Sequence, residues 1–249
     1  MNFKNESEIK KYVYDTYKYK IELHAHTSPV SLCADIEADE VVRRYAELGY
    51  DAIVITNHFS YQYRNRFEKE PTAEEFVDWY LSDYNKAVEA GKKYGIVVIL
   101  GAEFCFNNGE IRNDYLAFGL DRELLIESFY RIPYTIETYK ENEKLKDVLI
   151  IQAHRFRDNM TEIDPKFIDG LETFNMHIKH NSRNAKAVMF AKENNLNIVT
   201  VGSDYHHSGG EGITALLTKT LPKNSFELKE LLKTRDYVFE IGQDAVVLP

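Results

Sequence analysis

Two cysteines in 249 residues, Cys33 and Cys105, are too few for a disulfide scaffold. The chain is therefore expected to fold around its own core in a reducing compartment, with the cytoplasm as the default location. Proline is scarce, six residues in all, and no repeat or low-complexity segment interrupts the sequence. The longest apolar run, IVVILGA, is far shorter than the roughly 20 residues that a membrane-spanning helix needs. The first stretch, MNFKNESEIKKYVYDTYKYK, has no apolar segment of the secretory kind, so neither leader nor membrane span is expected. Positive charge is in deficit. The 31 Lys and Arg against 40 Asp and Glu leave a formal charge of −9, which argues against a nucleic-acid-binding surface. With 44% apolar residues there is ample material for a core, and residues 1–249 read as one domain. Residues 1–18 read as a charged, Tyr-rich arm or short helix ahead of it.

What the chain has instead is histidine and carboxylate at the ends of apolar runs. IELHAHT, 21–27, ends by offering His24 and His26. AIVITNH ends at His58, VVILGAE at Glu103, VLIIQAH at His154, and NIVTVGSDYH at Asp204 and His206. Residues i and i+2 of a strand share a face, so His24 and His26 project together, and Asp204 and His206 repeat that spacing. One histidine just past a strand is ordinarily a hydrogen-bonded loop residue. Five runs that all end in metal-type donors are not explained that way.

Helical patterns separate the runs. One begins near Ala38 with Val41, Val42, Tyr45 and Leu48 on one face and stops at Gly49; another runs from about Thr72 to Tyr94. The loop Phe59 to Pro71 carries Arg64 and Arg66, candidates for a phosphate clamp. DYLAFGL and GLETFN read as strands, with helical patterns either side of Pro133 between them. SRNAKAVMFAKENN reads as a helix with Ala185, Val188, Met189 and Ala191 inward, and the tail adds ALLTKT, a helix at about Ser225 to Thr234, and DYVFEIG. Seven or eight β/α units with donors from many strands favour a parallel barrel over an open doubly wound sheet, because barrel strand ends converge on one face.

The convergent groups are five imidazoles and two carboxylates, with His177, His180, His207 and Glu172 nearby. One zinc ion takes three or four ligands, so this inventory suits two or three divalent ions, with Glu103 able to bridge two of them. Mixed imidazole and carboxylate donors fit zinc, manganese or iron. A metal cluster of this kind can also present local positive charge to an anion inside an acidic protein.

HAH, TNH, GAE, QAH and GSDYH, in this order and at these strand ends, resemble the PHP family, the polymerase and histidinol phosphatase domain of metal-dependent phosphoesterases. The resemblance covers about Ile21 to Gly212 and implies a distorted (β/α)7 TIM-like barrel that hydrolyses phosphate esters at a two- or three-metal centre. Carried over, it puts His24, His26, Glu103 and Asp204 at a first metal, His58 and His206 at a second, and Glu103 with His154 at a third. A further third-metal histidine falls on His180, eight residues past Glu172, with His177 as runner-up. Arg157 rather than Arg155 is the expected phosphate-binding group, and Asp204 or His206 the group that exchanges a proton with the leaving oxygen. Cys105 reads as packing, and Glu172 as a core contact or as an orienter of a ligand.

The chain departs from the pattern at one place. Many relatives carry an Asp or His seven or eight residues beyond the first His as a ligand to the second metal, and here those positions are Ser31 and Leu32. Cys33 and Asp35 are the available substitutes, although a buried structural thiol is the plainer reading of Cys33.

The expected activity is hydrolysis of a small phosphomonoester by a metal-activated water, with a small phosphorylated substrate as partner, no membrane, and nucleic acid disfavoured. The alternatives are a phosphotyrosine phosphatase, an exonuclease-like phosphodiesterase, an amidohydrolase, or a metal-bound regulatory module without turnover. The sequence leaves the oligomeric state open.

Overall fold

The computed structural model describes residues 5–107, 112–242 and 245–249. The first four residues of the expected arm lie outside these. The rest of it is a helix, α1 (Glu6–Thr16), capped by the Asn5 side chain on the Glu8 amide, and it leads into β1 (Tyr19–Ala25). The helix α2 (Ala38–Glu47) buries Ala38, Val41, Val42 and Tyr45, an i, i+3, i+4, i+7 stripe. Leu48, expected on that face, lies past the last helical turn and is 40% exposed. After β2 (Ala52–Ile55) and β3 (His58–Ser60), a 3₁₀ turn over Tyr61–Arg66 replaces the expected plain loop. A capping box between Thr72 and Glu75 starts α3 (Ala73–Tyr94).

Next come β4 (Val97–Leu100), β5 (Ala102–Asn107) and β6 (Arg112–Phe118). The helices α4 (Arg122–Phe129) and α5 (Ile136–Lys140) flank Pro133 and precede β7 (Leu149–Gln152), β8 (Gly170–Asn175) and α6 (Asn184–Glu193). Last are β9 (Ile198–Gly202), β10 (Thr214–Thr218), α7 (Ser225–Thr234), β11 (Tyr237–Ile241) and β12 (Ala245–Val247). The inward face of α6 differs from the expected one. Ala187 and Ala191, one turn apart, pack on Leu171 of β8, whereas Val188 and Met189 are exposed.

The strands form two six-stranded sheets, ordered β12-β11-β10-β1-β2-β4 and β3-β5-β6-β7-β8-β9. The chain crosses from the first to the second twice, through Thr56 and Asn57 between β2 and β3 and through Gly101 between β4 and β5. Pairing continues across both breaks, since Gly101 N donates to Ile55 O at 3.0 Å and Glu103 N to Asn57 O at 3.0 Å. A side chain at position 101 would meet Val54 Cγ1 at 2.8 Å and Thr56 Cγ2 at 2.9 Å, so glycine is what lets this turn lie against β2. The staves around the ring are therefore β1, β2/β3, β4/β5, β6, β7, β8 and β9.

Two features depart from a regular parallel barrel. The strand β6 runs antiparallel to β5 and to β7, because the link between Asn107 and Arg112 is far too short for a parallel crossover. The ring also does not close by a continuous ladder. Between β9 and β1 it is joined through Tyr205, whose N donates to His24 O at 3.1 Å and whose O accepts from His26 N at 2.9 Å. The tail strands β10, β11 and β12 extend β1 as an antiparallel meander.

Ile21, Leu23, Val54, Ile99, Leu116, Ile151 and Val201 fill the interior, and α2 and α3 cover the outside through Val41, Tyr45, Ala87 and Ala90. The pairing of β1 with β2 slips between Glu22 and Ala25. The slip lets Leu23 and His24 both face inward while Ala25 packs outward against α2, which puts the histidine pair on top of the apolar plug.

Glu22 fastens the unladdered seam. Its Oε1 accepts from His24 N at 2.9 Å and from Ser203 N at 3.0 Å, and its Oε2 accepts from Tyr45 Oη at 3.2 Å. Burial pushes its pKa up to about 7 despite these bonds. The folded chain thus holds this proton more tightly than the unfolded chain. The group's contribution is complete below about pH 4.5 and is lost as pH rises through about 7, a swing on the order of 3 kcal/mol. Glu22→Gln removes it. Urea midpoints of chelator-treated protein should show the wild type losing stability relative to Glu22→Gln across that window, and parallel pH profiles would contradict the assignment.

Candidate metal centre

The expected donors converge at one end of the ring. Glu103, from the start of β5, is fully buried, and its two oxygens face different imidazoles. Oε1 lies 3.0 Å from His154 Nε2 and 3.5 Å from His24 Nε2; Oε2 lies 2.7 Å from His58 Nδ1 and 3.5 Å from His26 Nε2. Asp204 Oδ1 is 3.3 Å from His24 Nε2, 3.4 Å from His26 Nε2 and 3.3 Å from His206 Nδ1. Gly202 makes this approach possible, because a Cβ there would run into His24 Cβ and the Glu172 carboxylate. Two of the donors sit in left-handed backbone, His154 at φ 28° and Asp204 at φ 50°. Strain of about 1–3 kcal/mol at each is the cost of aiming them inward.

Hydrogen bonds behind the rings fix the tautomers. His24 Nδ1 donates to Glu172 Oε1 at 2.8 Å, which turns Nε2 inward. Ser31 Oγ donates to Asn57 Oδ1 at 2.9 Å, so it accepts from His26 Nδ1 at 3.2 Å and leaves the His26 Nε2 lone pair inward as well. The two Nε2 atoms therefore meet at 3.1 Å, where protonated His24 donates to neutral His26 and a bound cation would displace that proton. Glu103 Oε2 is buried without a hydrogen-bond partner despite its closeness to His58 Nδ1. Two imidazole nitrogens converging beside an orphaned carboxylate oxygen fit a centre built for cations.

The charges agree. Burial alone would raise Glu103 and Asp204, yet the imidazoles around them, His58 and His24 foremost at Glu103 and His24 and His26 at Asp204, hold both well below the usual carboxylate range. Burial works against protonated His24, but Asp204, Glu172 and Glu103 raise it well above an ordinary imidazole. His26 goes the other way, lowered by burial and then by His206 and His58.

Both third-metal candidates reach Asp204. His177 and His180 stack with centroids 3.8 Å apart, and their ligand atoms lie within 4.8 Å of the carboxylate. Asp114 on β6 was not anticipated. Its Oδ2 is 3.9 Å from His154 Nε2, and with Glu103 and His154 it makes a further three-donor group. Arg157 lines a cavity of about 720 Å³ beside the centre, with one guanidinium nitrogen 3.2 Å from Asp114 Oδ2. Arg155 is buried, its guanidinium on Gln152 Oε1 and Ile163 O.

Other expectations are corrected. Arg64 and Arg66 do not reach the cavity. Arg64 stacks on Phe129 and donates to Phe129 O, and Arg66 lies over Trp79 and donates to Pro29 O, so the 3₁₀ turn uses both as struts. Cys33 is not a buried structural thiol. The residue is exposed at the cavity, and although burial of the sulfur opposes it, hydrogen bonds with His206 and His58 lower its pKa to about 6. Asp35 turns away to His207 Nδ1 at 2.9 Å. Cys105 does more than pack, since its sulfur lies 3.3 Å from His58 Nδ1.

A PHP domain family model matches residues 22–216. The chain belongs to the PHP family. DNA polymerase III PolC-type from Caldanaerobacter subterraneus subsp. tengcongensis is 33% identical over 156 residues, 62% of this chain and 9% of the polymerase. This PHP chain therefore spans only a small part of that relative. Among solved structures, a two-domain protein from Bacteroides vulgatus containing a predicted PHP-like metal-dependent phosphoesterase aligns over 90% of this chain and 65% of its own, with a TM-score of 0.59 and 17% identity. PsfC from Pseudomonas syringae aligns over 93% of this chain and 91% of its own, with a TM-score of 0.54 and 14% identity. An amidohydrolase from Chromobacterium violaceum aligns over 90% and 98%, with a TM-score of 0.50 and 14% identity. At these identities the resemblance establishes the PHP fold. Among the described residues, no helix is long and apolar enough to cross a membrane.

Glu172 has more than the role of a core contact, because Oε2 also accepts from His154 N at 3.1 Å and from Asn175 Nδ2 at 2.9 Å. Glu172→Gln should leave the fold intact and weaken metal binding about 10- to 100-fold. Competition of stripped protein with a chromophoric chelator measures this, and unchanged affinity would show that Glu172 serves only the core.

Proposed function

We propose that this PHP domain is a metal-dependent hydrolase of small phosphomonoesters. The observation that carries the reading is Glu103. Its buried carboxylate offers one oxygen to His154 and His24 and the other, unpartnered, to His58 and His26, at the side of an open cavity. His24, His26, Glu103 and Asp204 would hold one ion, His58 and His206 a second, and Glu103 and His154 a third, helped by Asp114 and by His180 or His177. Divalent ions held there supply Lewis acidity, which acidifies water and neutralises phosphoryl oxygens.

The chain's own groups do the rest. Arg157 points a guanidinium already anchored on Asp114 into the cavity, where its remaining donors suit phosphoryl oxygens. Lys179 stands at the same wall and adds positive charge in an acidic protein. Asp204 is kept in place by Asn175 Nδ2 at 3.1 Å, and His206 Nδ1 by Asp204 O at 2.8 Å. These two are the groups assigned to exchange a proton with the leaving oxygen.

A second reading has one observation in its favour. The polymerase relative makes a nucleotide or a nucleic-acid end a candidate ester, and the charge of −9 weighs against a long polynucleotide. The test is release of phosphate from sugar phosphates, nucleotides and a phosphotyrosine peptide, and of phosphate or mononucleotides from a short 5′-phosphorylated oligonucleotide, with added manganese or zinc and a chelator control. Chelator-sensitive release from a monoester is expected; release confined to the oligonucleotide would favour the second reading. No release from metal-loaded protein would sink both and leave a binding module. Asp204→Ala should reduce turnover to background with an unchanged circular-dichroism spectrum. Arg157→Ala should raise KM about 10- to 100-fold, the worth of a hydrogen bond to a charged group. An unchanged KM would remove Arg157 from the phosphate site.

A further inference from the structure

The His58 and His206 end of the centre lacks the carboxylate or imidazole expected seven or eight residues beyond His24. Ser31 occupies one of those positions and is consumed in orienting His26, and Leu32 is 61% exposed. Cys33, one residue on, is exposed and lines the same cavity wall as His58 and His206. The ligand atoms of His26, His58 and His206 lie within 4.8 Å of one another. A second, independent sign of a cation there is Glu103 Oε2, buried, without a hydrogen-bond partner, and 2.7 Å from His58 Nδ1. Asp35, the other nearby donor, is engaged with His207, and Cys105, which forms a three-donor group with His58 and Glu103, is the competing sulfur.

We infer that the Cys33 sulfur is a thiolate ligand to the ion held by His58 and His206, taking the place of the missing carboxylate or imidazole. On binding, the thiol proton passes to solvent and a sulfur–metal bond forms, with no change of oxidation state. Thiolate and imidazole donors favour zinc over manganese or magnesium, so this end is zinc-selective while the carboxylate-rich remainder is not. The inference rests on the metal-centre reading above, but not on phosphate-ester turnover.

The test is spectroscopic. Full-length protein stripped with chelator and reloaded with cobalt(II) should show a near-ultraviolet thiolate-to-cobalt charge-transfer band. The band should survive in Cys105→Ser and vanish in Cys33→Ser, whose zinc content falls by about one ion per chain. Loss in Cys105→Ser with retention in Cys33→Ser overturns the inference, as does absence from cobalt-loaded wild type. Should Cys33→Ser fail to fold, iodoacetamide labelling of the wild type decides: zinc must protect Cys33 and chelator must expose it, and labelling of Cys33 in zinc-loaded protein refutes ligation. Phosphate release is read separately. A band without hydrolysis keeps the ligand and removes the activity, and hydrolysis without a band does the reverse.

Discussion

Everything in this structure is arranged around one buried carboxylate. Glu103 is fully removed from water, and an ionised carboxylate in such a place is tolerated only beside compensating positive charge. His58 and His24, from β3 and β1, supply it within 3.5 Å, and His154 and His26 complete the ring of imidazoles around it. Because its two oxygens face different pairs of rings, Glu103 divides the centre into two halves while joining them. The surrounding polar network follows from that demand. Glu172 behind His24, Ser31 and Asn57 behind His26, and Asn175 behind Asp204 each spend their hydrogen bonds on keeping a donor aimed inward.

The same demand explains why the ring is left unladdered between β9 and β1. A regular parallel ladder there would carry Asp204 past the centre in extended backbone. Instead the chain leaves β9 at Gly202, turns through left-handed Asp204, and meets β1 only at Tyr205. His154 makes a similar turn after β7. Two strained residues and a missing stretch of ladder would be unfavourable in isolation, and the bonds of Glu22, Tyr45 and Ser203 offset them at the seam.

Much of this was legible in the sequence for a definite reason. A donor at the end of an apolar run is visible when the strand runs parallel to its neighbours, since the ends then converge. That logic located His24, His26, His58, Glu103, His154, Asp204 and His206, and it failed for Asp114. The strand β6 runs the other way, so its contribution comes near its beginning, ahead of the apolar residues, where no run ends. Side-chain direction was the other limit. Arg64 and Arg66 stand in a loop beside a donor, but whether a guanidinium faces a cavity or stacks on Phe129 and Trp79 depends on tertiary neighbours that spacing does not encode. The α6 face failed similarly, because what the sheet accepts there is a pair of alanines rather than the largest apolar groups.

An acidic surface is compatible with the phosphomonoester substrate proposed above because the surface and the cavity are spatially separate. The charge of −9 is a sum over the whole chain, and many of the surface carboxylates are in exposed pairs such as Arg43 with Glu40 and Arg122 with Asp78, worth little and screened by salt. The field that a small ester would meet on entering the cavity is set instead by Arg157 and Lys179 at the wall and by whatever cations the buried donors hold. Long-range repulsion from the surface falls off within about a Debye length of 8–10 Å. A compact phosphomonoester has to cross that distance once, whereas a polynucleotide would lie along it. On the proposed reading, the charge distribution would select by size as well as by sign.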